Sequence, residues 1–157
     1  MRKVIEKGFL SKKLLRNDLV LVSVTESVGP QLIRARIEKI YSSGKAISNN
    51  DLGKVIEFVH GPPHWGQVAL TVGNRALLFL SSISGQLYED AWNGHLLLEC
   101  IGDDEYTIYR KKELWTDKEI PDEIRSASIR YPMRSNATAI RFEQFNHYIK
   151  NLVKALG

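Results

Sequence analysis

The sequence predicts a mainly β fold: a five-stranded closed barrel, a short helix before it and a longer amphipathic helix at the C-terminus. Three observations predict it. Stretches rich in aliphatic and β-branched residues recur between Asp18 and Ile101, turn residues separate them, and a long apolar stripe with helical spacing follows residue 136.

Taken in order, Ser11 can cap a short helix to Arg16, because its hydroxyl can accept an orphan backbone N–H and Lys-Lys-Leu-Leu-Arg are good helix formers. From Asp18 to Val28 a first strand places Val20, Val22 and Val24 on one face and Leu19, Leu21, Ser23 and Thr25 on the other. Gly29-Pro30 turns the chain into a second strand, Leu32 to Tyr41, where Ile33, Ala35 and Ile37 alternate with Arg34, Arg36 and Glu38. These two form a hairpin. Ser42 to Gly53 is a polar loop, Lys54 to His60 a third strand broken by Gly61-Pro62-Pro63, and Arg75 to Ile83 a fourth. Beyond Ser84-Gly85, the segments 86–91 and 95–101 bracket Trp92-Asn93-Gly94, which predicts a second hairpin because Asn and Gly tolerate positive φ. Tyr106 to Arg110 adds one further strand.

Residues 111–136, interrupted by Pro121 and Pro132, read as a connector with one helical turn near Asp122 to Ser126. Phe142, Phe145, Ile149, Leu152, Val153 and Leu156 then recur every three or four residues. This predicts a helix over 137–156, capped by Asn136 or Thr138 and packed on the barrel. The chain reads as one domain, 1–157, with the barrel over 10–110.

The order of these elements is that of an OB-type barrel. Asn17-Asp18 before the aliphatic run to Thr25 resembles the opening strand of netrin-like or TIMP-like OB domains. Leu70-Thr71-Val72-Gly73-Asn74-Arg75 leading into Ala76-Leu77-Leu78-Phe79-Leu80 resembles their later Gly-turn and buried strand, and Trp92-Asn93-Gly94-His95-Leu96 the hairpin after it. The resemblance covers roughly residues 10–101. TIMP-type inhibitors present an N-terminal cysteine to a catalytic zinc; Met1 stands here, so metalloproteinase inhibition is not implied.

A single cysteine, Cys100, excludes an internal disulfide and a thiolate metal site, and on an apolar strand it reads as a core residue. No apolar run approaches the ~20 residues of a membrane-spanning helix, and no signal-peptide pattern follows Met1, so a cytoplasmic, membrane-free setting is expected. The formal charge is +4, unevenly spread: Lys and Arg crowd the first 16 residues, while Ala76 to Tyr109 holds none and carries Glu89, Asp90, Glu99, Asp103, Asp104 and Glu105.

Catalytic patterns are weak. His60 and His64 are four apart, but Pro62 and Pro63 exclude the helix that would align them for zinc, so a loop role is expected. His95 and His147 have no local carboxylate arrangement that suggests catalysis. Ser81, Ser82 and Ser84 lack a nucleophile elbow, and the glycines are scattered singly rather than forming a phosphate loop. Asp103-Asp104-Glu105 lacks the spacing of a calcium loop. No catalytic residue, metal or cofactor is expected.

The acidic, aromatic stretch suits a basic protein partner, with Tyr88, Glu89, Asp90, Trp92, Asp103, Asp104 and Glu105 as the interface. In organisation alone the chain resembles bacterial immunity proteins, contact-dependent growth-inhibition immunity proteins among them, which neutralise a cognate toxin by direct binding. A basic toxin domain is therefore the expected partner, with the protein a monomer or homodimer. The alternative is a single-stranded nucleic acid on Arg34, Arg36, Lys39, Tyr41 and Lys54, disfavoured because Glu89 and Asp90 would repel phosphate. A small enzyme of unknown class is the second alternative.

Overall fold

Ten residues from Asp18 to Ser27 form β1, which is long enough to pair on both sides because register shifts at Leu21/Val22 and Val24/Glu26 bend it. Its partners are β2 (Leu32–Ile40) and β4 (Arg75–Ile83), both antiparallel. With β3 (Val55–Val59) and β5 (Gln86–Glu89), the order is β1-β2-β3-β5-β4 and back to β1: a closed five-stranded barrel. The pairing is mixed, since β3 and β5 run parallel. The computed structural model describes residues 8–61, 69–91, 93–110, 120–133 and 137–157, and they divide into two compact units, with the barrel in Arg16–Leu97.

Closure leaves no barrel edge among β1 to β5 and buries Leu19, Val20, Leu21, Val22, Ile37 and Phe58, with Ala76 to Leu80 buried as a continuous run. Each such large side chain contributes about 1.5–3 kcal/mol relative to exposure. Ser84 and Gly85 both have positive φ, the backbone of a two-residue turn whose twist matches the flanking strands, and this sets Ile83 opposite Gln86 in the β4–β5 hairpin. The polar loop after β2 contains a single 3-10 turn, Asn49–Asp51, capped by Ser48. That loop is pinned by Asp18, whose buried carboxylate accepts the backbone N–H groups of Lys45, Ala46 and Ile47 at 2.9, 2.7 and 3.0 Å.

The second unit comprises Leu98–Gly157 and the chain before Arg16. There the end of β6 (His95–Ile101) pairs with β7 (Asp104–Arg110), and β7 with β9 (Ala137–Arg141), which also pairs with β8 (Ser128–Arg130), all antiparallel. Helix α1 (Phe9–Arg16) begins in this unit, α2 spans Asp122–Ser126, and α3 (Phe142–Leu156) buries Phe145, Ile149 and Leu152. Tyr109 joins these parts, its ring edge-on to Phe9 at 5.7 Å and to Phe145 at 6.2 Å.

Several expectations need correction. Ser11 lies inside α1 rather than at its start. Residues 137–141 are strand, because Ala-Thr-Ala-Ile-Arg alternates and fits between β7 and β8; the helix starts at Phe142 without a side-chain cap from Thr138. The segments 86–91 and 95–101 make no hairpin: β5 pairs with β4 and β3, and β6 is a neighbour of β4. Asn93 still uses its tolerance of positive φ, in a turn. The expected connector contains β8, and Cys100 is exposed, lying next to the last residue of β6 where the strand's burial has run out. Among the described residues no helix is long and apolar enough to cross a membrane.

Candidate functional site

The parallel pairing that closes the barrel also builds a polar cluster. Phe58 lies opposite Leu87 and Val59 opposite Tyr88, so one further step brings His60 to Glu89. His95, the first residue of β6, reaches the same carboxylate. The two imidazoles take one carboxylate oxygen each: His60 Nδ1 meets Oε1 and His95 Nδ1 meets Oε2, the latter at 2.5 Å. The side chains of His60, Glu89 and His95 are 9%, 4% and 1% exposed.

Hydrogen bonding assigns the His60 tautomer. The Leu70 N–H donates to Nε2 at 3.2 Å, so Nε2 holds a lone pair and Nδ1 carries the proton given to Glu89. Burial is the largest single influence on the Glu89 carboxyl and pushes its pKa up; the hydrogen bonds from His60 and His95, with the attraction of the two rings, together outweigh it and hold the group below its usual range. Gly94 makes room: a Cβ there would stand 2.3 Å from Glu89 Cγ and from the Asp90 carbonyl oxygen. Two imidazoles and a carboxylate can hold a proton network or a borderline metal ion.

The sequence did not point to this arrangement, because no local carboxylate pattern around His95 suggested catalysis. A weak signal exists in a histidine opening an otherwise apolar strand, His95-Leu96-Leu97-Leu98, because a buried imidazole needs a partner.

The expected acidic interface is redistributed. Glu89 belongs to the interior, Tyr88 is half-buried, and Asp90 lies 3.7 Å from Arg16. Asp103 is exposed, Asp104 pairs with Arg141 at 3.1 Å, and Glu105 is half-buried. Trp92 and His64 lie outside the described residues.

The alternative basic residues lie on β2 and its surroundings, in a ladder of opposite charges. Arg34 contacts Glu26 on β1 at 3.1 Å and Glu57 on β3 at 3.2 Å, and the Glu57 bond is the largest influence raising its pKa further above the ordinary value. Arg75 contacts Glu38 at 3.0 Å, and Ser23 donates to the same carboxylate. Arg36 donates to the Gly53 carbonyl at 2.8 Å, and Lys39 lies 5.8 Å from the Tyr41 ring centre. Lys54 is exposed; Phe58 is buried and cannot stack on a base. No family model matches the chain, and no curated protein or solved structure matches it.

Proposed function

We propose that this chain is a non-catalytic protein-binding module with an OB-like barrel, acting as an immunity-type inhibitor that neutralises a toxin by direct contact. The observation that carries the reading is the charge ladder. Across β1, β2, β3 and β4, Arg34 is paired with Glu26 and Glu57 and Arg75 with Glu38, while Arg36 bonds the Gly53 carbonyl. A polyanion gains affinity by releasing counterions from a basic surface, and arginines already paired with glutamates, as Arg34 and Arg75 are, offer less of that. A folded protein with its own alternating charges can match such a mosaic residue by residue, which favours specificity and register. Val55, opposite Arg36, and Leu52 add exposed apolar surface beside it. The partner expected at this face is therefore mixed in charge rather than simply basic.

The test is co-expression with the product of the adjacent open reading frame. A salt-sensitive 1:1 complex is expected, weakened about tenfold or more by Glu57→Arg, which sets like charges beside Arg34. Absence of a complex, or tight low-salt binding of a single-stranded oligonucleotide lost in Arg34→Glu/Arg36→Glu, overturns the reading in favour of the nucleic-acid alternative.

A further inference from the structure

We infer that His60, Glu89 and His95 are the protein ligands of one transition-metal dication, with zinc as the type. The site is internal to the barrel unit and does not rest on the proposed docking face.

Three observations converge. The donor set is chemically apt, since imidazole nitrogen and carboxylate oxygen are both established zinc ligands and two histidines with one glutamate is a known combination. The geometry is close: one ligand atom from each residue lies within 4.8 Å of the others. Tetrahedral coordination at about 2.0–2.2 Å places ligand atoms ~3.4 Å apart, so the 2.5 Å contact between His95 and Glu89 must open by roughly 1 Å. Finally, the surroundings hold Glu89 in place, because Gly94 lets the carboxylate chain lie against backbone where any Cβ would displace it. A dication compensates the buried carboxylate charge more fully than hydrogen bonds alone can. Three protein ligands would leave one coordination position open; the ion would tie the ends of β3 and β5 to the start of β6, where all three ligand side chains are buried.

Loading carries a specific signature. His60 Nδ1 must release its proton to bind the metal, and the ring stays neutral by taking a proton on Nε2. Nε2–H then faces the Leu70 N–H, donor against donor, so the 3.2 Å bond between them is lost.

The experiment strips the full chain of metal and titrates it with Zn²⁺ and Co²⁺. Expected results are uptake of one equivalent, the visible absorption of low-coordinate cobalt, a higher melting temperature, and a shifted, less protected Leu70 amide by NMR and hydrogen exchange. Glu89→Gln and His95→Ala should lose stoichiometric uptake. His147→Asn, on exposed α3 surface where it bonds Asn151, should keep it. No stoichiometric uptake by the wild type, uptake undiminished in Glu89→Gln, or a Leu70 amide unmoved by bound metal overturns the assignment and leaves the cluster a proton-bonded network. Should a variant fail to fold, the wild-type titration and the Leu70 amide decide by themselves.

Discussion

In the barrel unit the buried Asp18 carboxylate accepts three backbone N–H groups through Oδ2, its Oδ1 meeting no partner among the described residues, whereas in the second unit the buried Thr107 hydroxyl oxygen meets no partner at all among them. The contrast extends outward from these two positions. The barrel unit joins its strands and loops through internal polar contacts, at Asp18 and again at Glu89. The second unit has apolar and aromatic groups, Phe9, Tyr109 and Phe145 in one and Tyr106, Tyr131, Ala137 and Ala139 in another, and the Tyr131 hydroxyl also donates to Glu99 at 2.6 Å. The comparison teaches where polarity is structural. A buried polar group strengthens a fold when it satisfies several orphan donors, and weakens it when its own needs are unmet.

The largest expected effect is therefore at Asp18. Asp18→Ala leaves the N–H groups of Lys45, Ala46 and Ile47 without their acceptor and should lower stability by about 3–5 kcal/mol in urea unfolding. A loss below about 1 kcal/mol would show that the loop finds other partners and would erase the contrast. Thr107→Val tests the other side. It keeps the shape and removes the unmet hydroxyl, so a gain of about 0.5–1 kcal/mol is expected, and a clear loss would reveal a bound water or other partner.

The smallest effect lies on the outer ladder. Burial, the largest single influence on Glu38, raises its pKa, but the bonds from Arg75 and Ser23 and the attraction to Arg75 outweigh it and hold the carboxyl below its ordinary value. Its stabilising contribution is thus complete above about pH 4.3 and fades as pH falls through the lower folded value. Solvent screening limits it to about 0.2–1 kcal/mol. The stability difference between wild type and Glu38→Gln should shrink between pH 6 and pH 3; a pH-independent difference counts against the pairing.

How much was readable depended on sequence distance. The Gly29-Pro30 hairpin, the Ser84-Gly85 turn, the Arg75–Ile83 strand and the helical turn at 122–126 all rest on adjacent residues, and their signals were legible. The barrel followed from counting such strands. What escaped was pairing between distant segments. Asn93-Gly94 has hairpin chemistry, yet β4 outcompeted β6 for β5, and Gly94 serves Glu89 by lacking a side chain. Ala137–Arg141 lies directly before a helical stripe and has the alternation of a strand, but only β7 and β8 reveal which tendency wins. Glu89 looked like surface charge because its partners, His60 and His95, come from other strands.

The β3–β5 register also bears on how the chain reaches its native state. The β1–β2 and β4–β5 hairpins close short loops and can form early, while Phe58 must find Leu87 across the whole intervening segment, at a greater entropic cost. The β3–β5 pairing is accordingly expected later on the folding route than either hairpin, with φ-values near zero at Val59 and higher ones at Ile83 and Gln86. His60 and Glu89 come together only at that step, so their union reports a stage later than the two hairpins.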